Sequence, residues 1–259
     1  MSPKMSVAAS TRSARCLLAV LAAAAAVAAC ANKPDAAAVY RHERYAAIVA
    51  SADRSAADRT NDDRRKPVQM LEFIGVRQSI VALDLSAGGG YTTELLARAV
   101  HPGGRVYAQV PRAASAGLTT RLAKPTLIGV SLVAQPFETP VPAEVANGGI
   151  DLVTMMFNYH DLGHMGVDRE RMNRAVFAAL KPGGLYVIAD HSGRAGTGIS
   201  EAGTLHRVEE AFVREEVERA GFRLVAAADF LRNPRDPRDR ETPEPAQPKD
   251  EFVLKFVKP

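Results

Sequence analysis

A doubly wound α/β sheet is the fold class that three features of this sequence predict. In Val81–Arg98 an apolar run ends at Asp84, the small residues Ser86-Ala87-Gly88-Gly89-Gly90 follow, and helical spacing begins at Thr92. Strand, glycine turn and helix form the opening unit of such a sheet, whose ligands sit outside the carboxyl ends of the strands. The second feature is the alternation of apolar runs with amphipathic segments, which continues from Arg105 to the C-terminus. The third is composition. With 259 residues, 47% hydrophobic and 24% charged, the chain can bury one large core and still carry extensions.

Residues 1–30 have the layout of a secretory signal. Lys4, Arg12 and Arg15 form a basic start, Cys16–Ala29 an apolar core, and small residues precede Cys30. That core falls short of the about 20 apolar residues a membrane-spanning helix needs. The three cations also carry the charge excess. Without them the formal net charge drops from +4 to +1, so charge gives no support to a nucleic-acid partner. Val27-Ala28-Ala29-Cys30 resembles a bacterial lipobox, which implies export and a lipid anchor on Cys30 holding the protein to the membrane. With Ala31 after the cysteine, that resemblance further implies an outer-membrane destination. An ordinary signal with a chance cysteine is the alternative. Residues 31–38 then read as a linker and 39–259 as the folded domain.

Val39–Ala50 and Asp62–Ile74 have helical apolar spacing, with Arg- and Asp-rich Ser51–Asn61 between them and Pro67 near the second start. Either Tyr45 and Arg64–Lys66 reach the ligand site, or the two helices cover a sheet edge with solvated charges. After the first strand and helix, strands are expected at Arg105–Val110, Leu127–Ala134, Ile150–Phe157, Leu185–Ala189, Phe222–Phe230 and Glu251–Val257. Helices are expected at Ala113–Lys124, at Asp168–Leu180 with Asp168 as cap, and at Leu205–Ala220. Leu231–Asp250 carries five prolines and no periodicity, the composition of a lid or a solvated excursion.

Asp84–Gly90 resembles motif I of class I S-adenosylmethionine (SAM)-dependent methyltransferases, an acidic residue followed by G-x-G-x-G. Ser86 stands in place of the first glycine, and Gly88 and Gly90 match. Leu180-Lys181-Pro182-Gly183-Gly184 is similar to the L-K-P-G-G that precedes a strand in the same family. Segments Ala189–Ser192, Thr204–Arg207, Val213–Phe222 and Asp229–Asp239 together resemble one bacterial group of methyltransferase-like proteins. The resemblance implies a Rossmann-like seven-stranded sheet with an antiparallel last strand, preceded by helices, and SAM as cofactor at Asp84, Ser86, Gly88 and Gly90. In the family an acid at the end of the second strand holds the ribose. The aligned residue here is Gln109, which donates and accepts hydrogen bonds but lacks the charge. Phe137 lies in the loop where related enzymes contact the adenine, and either stacks there or closes the core.

The densest polar cluster, Asn158-Tyr159-His160-Asp161, follows the fourth strand beside the implied methyl donor. His160 or Asp161 is a candidate general base, with Asn158 and Tyr159 beside it. The alternative makes the histidine a hydrogen-bonded structural residue and the aspartate a turn cap. Asp190 and His191 end the neighbouring strand and, with His206, are candidates for contacting substrate; His206 and Arg207 are otherwise surface residues. Catechol-type O-methyltransferases place metal-binding acids at these two strand ends, which would bring Asp161, Asp190 and His191 together. With no further acidic ligand in the sequence, no metal is expected. The function so implied is in-line methyl transfer to a small-molecule acceptor. The rival is a non-catalytic envelope module that binds a small ligand on the same scaffold, to which the export signal and Gln109 point.

Overall fold

The computed structural model describes residues 35–259, together with Met1 and Pro3. The expected basic start, apolar core and Cys30 of the signal lie outside the described residues. Arg44–Pro259 forms the unit that holds the sheet. Its strands are β1 (Val81–Leu85), β2 (Arg105–Val110), β3 (Val130–Ala134), β4 (Ile150–Met156), β5 (Leu180–His191), β6 (Arg223–Ala228) and β7 (Glu251–Val257). They lie in the order β3-β2-β1-β4-β5-β7-β6. Pairings are parallel except those of β7, which runs antiparallel to both β5 and β6. The expected seven-stranded class I methyltransferase architecture is the observed one.

The helices are α1 (Ala36–Val49), α2 (Ala56–Arg65), α3 (Pro67–Ile74), α4 (Tyr91–Val100), α5 (Ala116–Leu122), α6 (Asp161–His164), α7 (Arg169–Ala179), α8 (Ala202–Leu205) and α9 (Glu210–Arg219). They cover both faces of the sheet, which is why the central strands read as nearly continuous apolar runs. Side chains alternate across the pleat. Leu83, Val153 and Ile188 meet Met172 and Val176 of α7 and Val213 and Val217 of α9. On the opposite face Ala82, Leu152 and Val187 meet Leu71 and Ile74 of α3 and Leu95 and Leu96 of α4. Each fully buried leucine or valine of this kind contributes about 1.5–3 kcal/mol.

Three expectations change. The charged stretch between the two expected helices itself contributes helix α2, which runs on into the expected second helix and is capped by Ser55, whose hydroxyl accepts from the Asp58 amide at 3.1 Å. It has no apolar face because ion pairs hold it: Arg121 reaches Asp58 at 2.6 Å, and Arg54 reaches Asp62 at 2.7 Å. The helix stops at Lys66 (φ +45°), and α3 begins with Pro67 at its first position. Second, the helix expected from Leu205 begins only at Glu210. His206 is left-handed (φ +49°), and Val208 pairs with Ser192 as an isolated parallel bridge. Third, Arg207 is no surface residue. It is fully buried, paired with Asp236 at 2.9 Å and donating to the Ser192 carbonyl at 3.0 Å. This pair, with Asp250 accepting from the Asn233 amide at 2.7 Å, pins Leu231–Asp250 to the end of β5.

Candidate functional site

In this strand order β1 and β4 are neighbours whose connections leave in opposite directions, so a crevice opens beyond their carboxyl ends. Asp84 sits there, buried, its carboxylate accepting from Thr93 Oγ1 at 2.5 Å and Thr154 Oγ1 at 3.0 Å. Burial pushes its pKa up to about 6, against the two hydroxyls and the distant Arg65 charge, which lower it. The turn after it is left-handed at Ser86 (φ +62°), Gly88 (φ +55°) and Gly90 (φ +82°). A side chain at Gly90 would collide with Arg121 and Leu118 at 2.8 Å, whereas one at Gly89 would meet nothing within 4 Å. Glycine is thus required at Gly90 for space as well as conformation, and Gly89 faces open volume.

That volume is a cavity of about 290 Å³ bounded by Ser86–Gly89, Asp84, Asn158 and, from α2, Arg65. Arg65 stacks its guanidinium over Tyr91 (4.9 Å) and Phe157 (4.7 Å). Its Nε is buried without a hydrogen-bond partner. Burial, and then the adjacent Arg64 charge, lower its pKa. Of the two readings for the preceding helices, Arg65 does reach the cavity. Tyr45 does not: it is fully buried, with its hydroxyl donating to the Val76 carbonyl at 2.6 Å.

Gln109, at the end of β2, is also fully buried. Its Oε1 accepts from the Ser86 amide at 2.9 Å and its Nε2 donates to the Gln135 carbonyl at 2.7 Å, so it ties the glycine turn to the loop after β3. Phe137 closes the core beside Tyr107 and Val133.

Beside the cavity lies a second group of polar side chains. Asn158 joins the two: its Oδ1 accepts from Ser86 Oγ, and its Nδ2 donates to Asp161 Oδ2 at 2.9 Å. Asp190, fully buried, accepts from the His160 amide at 2.8 Å and holds His160 Nδ1 at 2.6 Å. The other ring nitrogen of His160 lies 3.2 Å from Asp161 Oδ1, and His206 Nδ1 lies 3.3 Å from the same oxygen. Burial alone would lower the His160 pKa, but Asp161 and Asp190 outweigh it and raise it to about 9. At neutral pH His160 is therefore an imidazolium donor between two carboxylates, not a base. Asp161, half-buried, has its pKa lowered first by the His160 hydrogen bond, against its own desolvation.

The other candidates fall elsewhere. Tyr159 points into the core, its hydroxyl donating to Glu216 at 2.8 Å and accepting from Asn173 at 3.0 Å. Burial, and then the Glu216 charge, raise its pKa well above 10. His191 packs 5.4 Å from the His160 ring with Nδ1 3.0 Å from Glu251, and burial lowers its pKa. Asp161, Asp190 and His191 therefore do not share one focus. Glu251 escaped the sequence reading. Glu251 opens the last strand 60 residues from His191 and meets it only through the β5–β7 register, which pairs the two residues.

No protein-family model and no curated protein sequence matches the chain. Solved structures do. A SAM-dependent methyltransferase from Aquifex aeolicus superposes with a TM-score of 0.58 at 18% identity, over 77% of this chain and 93% of that one. The [4+2]-cyclase SpnF gives 0.57 at 17%, over 82% and 85%. A SAM-dependent O-methyltransferase from Thermotoga maritima gives 0.51 at 15%, over 75% and 64%. Identities this low carry the fold and no reaction, as a cyclase among them illustrates. With its strand order and its antiparallel β7, the chain has the class I fold of the SAM-dependent methyltransferases.

Proposed function

We propose that this protein is a SAM-dependent methyltransferase acting on a small-molecule acceptor. The observation that supports this most directly is the cavity of about 290 Å³ at the β1–β4 crevice, with open glycine backbone on one side and Asp84 on another. Its size is at the lower end of the about 300–1,000 Å³ usual for small-molecule sites. Arg65, with an unfilled buried donor, offers the cation for a carboxylate. When bound, SAM would supply an activated methyl group on its sulfonium, leaving the protein to align the partners and accept a proton. Asn158 and Asp161 hold the adjoining wall, and Asp161 is the carboxylate that can take the proton from the incoming nucleophile.

Full-length protein should gain thermal stability with SAM or S-adenosylhomocysteine, by about 2.7 kcal/mol at a hundredfold excess over Kd. Gly89→Leu should abolish that gain while leaving the unliganded melting temperature nearly unchanged, because its Cβ meets no atom within 4 Å. Absence of any shift with either ligand at millimolar concentration would remove this reading.

The same proposal places the domain outside the cytosol, anchored through Cys30. Labelled palmitate should enter the parent protein and not Cys30→Ser. Fractionation of unprocessed native protein with the cytosol would overturn the anchor and leave the catalytic reading intact.

A further inference from the structure

Four of the six histidines in the sequence gather at the ends of β4 and β5. The rings of His160 and His206 lie 5.6 Å apart, those of His160 and His191 5.4 Å, and those of His164 and His206 5.9 Å. Within this group His160, Asp161 and His206 each present one donor atom, and the three atoms lie within 4.8 Å of one another. We propose that these three residues form a binding site for a divalent first-row transition ion.

Distances set the case. Ligand atoms held about 2.1 Å from a tetrahedral or octahedral ion stand about 3.0–3.4 Å apart. Asp161 Oδ1 is 3.2 Å from His160 Nε2 and 3.3 Å from His206 Nδ1, so one carboxylate oxygen stands at ligand spacing from both imidazoles. The orientation of His160 fits as well. Its Nδ1 is committed to buried Asp190 at 2.6 Å, which aims Nε2 at Asp161, and an ion bound there would take the place of the Nε2 proton. A lone pair facing a carboxylate oxygen needs a cation between them, either a proton or a metal. A carboxylate behind a ligating histidine is the usual means of fixing its tautomer. Asn158 performs the same service for Asp161, donating to the oxygen that faces away from the histidines.

The set is two imidazoles and one carboxylate, which favours Zn²⁺, Fe²⁺, Co²⁺ or Ni²⁺ over the all-oxygen preference of Mg²⁺ and Ca²⁺. Three protein ligands leave positions open. His206 and Asp161 keep 40% and 25% of their side chains exposed, so those positions face solvent beside the cavity. If the methyl-transfer reading holds, an oxygen or nitrogen nucleophile bound there would lose its proton more readily. The ion site itself rests on geometry alone.

Tag-free full-length protein, stripped with a chelator and lacking SAM, should bind one Co²⁺ per chain, seen as visible d–d absorption, and release it to Zn²⁺. Asp161→Asn and His206→Asn should each weaken binding by at least the about 10–100-fold that loss of an outer hydrogen-bond partner causes. Asparagine is chosen at His206 because it tolerates the left-handed backbone there. Apo melting temperatures of both variants separate lost ligands from lost folding. No absorption or thermal shift with Co²⁺ or Zn²⁺ up to millimolar concentration would overturn the site, as would unchanged affinity in both folded variants. SAM binding, measured separately on metal-free protein, leaves failure of the ion site and failure of the enzyme reading distinguishable.

Discussion

Replacing Asp236 with asparagine is expected to lower stability by about 3–5 kcal/mol, the usual result of leaving one partner of a buried ion pair uncompensated. Both side chains of the Arg207–Asp236 pair are 0% exposed, so water cannot replace the lost charge. The carboxylate also accepts from the backbone amides of Arg238 at 3.0 Å and Asp250 at 2.6 Å, and asparagine keeps only one of its oxygens. For a chain of this size the melting temperature should fall by roughly 6–20 °C. Adding Arg207→Met to Asp236→Asn should return about 1–2 kcal/mol, because it removes the stranded guanidinium. Chemical denaturation of the two single variants and the double variant measures this. Additive losses would mean that the pair is solvated and that Leu231–Asp250 is held by something else.

The second large effect is a pH dependence centred on Asp84. Its pKa rises from 3.8 to about 6 on folding, chiefly through burial. A raised folded pKa means that the native state binds the proton more tightly than the unfolded chain does. This contribution to stability is full below pH 3.8 and is lost as pH climbs through about 6. At about 1.36 kcal/mol per pH unit, the interval is worth about 3 kcal/mol. Asp84→Asn does not titrate, and its amide can still pair with Thr93 and Thr154 on opposite sides. Its stability relative to the parent should therefore improve by about 3 kcal/mol between pH 3 and pH 7, as read from urea unfolding at each pH. A difference that stays flat across that range would show that Asp84 is solvated in the native protein.

The sequence by itself determined the scaffold and the place of the cavity. An apolar run ending in Asp84, three consecutive glycines and an amphipathic helix dictate a strand–turn–helix unit, and the later alternation dictates its sheet. Periodicity reports which residues face an apolar core, so it found β1 to β7 and the faces of α4 and α7. It could not find α2, whose helix is held by Arg54, Asp58, Asp62 and Arg121 rather than by an apolar stripe. Nor could it separate structural from accessible polar residues. Tyr159 and His160 are adjacent, yet one turns into the core and the other into the crevice, because Asp190 captures His160 from the next strand. Only the tertiary structure brought His206 to Asp161 across 45 residues of chain. The left-handed turn at His206 and the buried Arg207–Asp236 pair make that approach, and neither leaves a periodic trace. Charges and turns of this kind acquire partners only when distant segments meet, and that is where local patterning stops and packing decides.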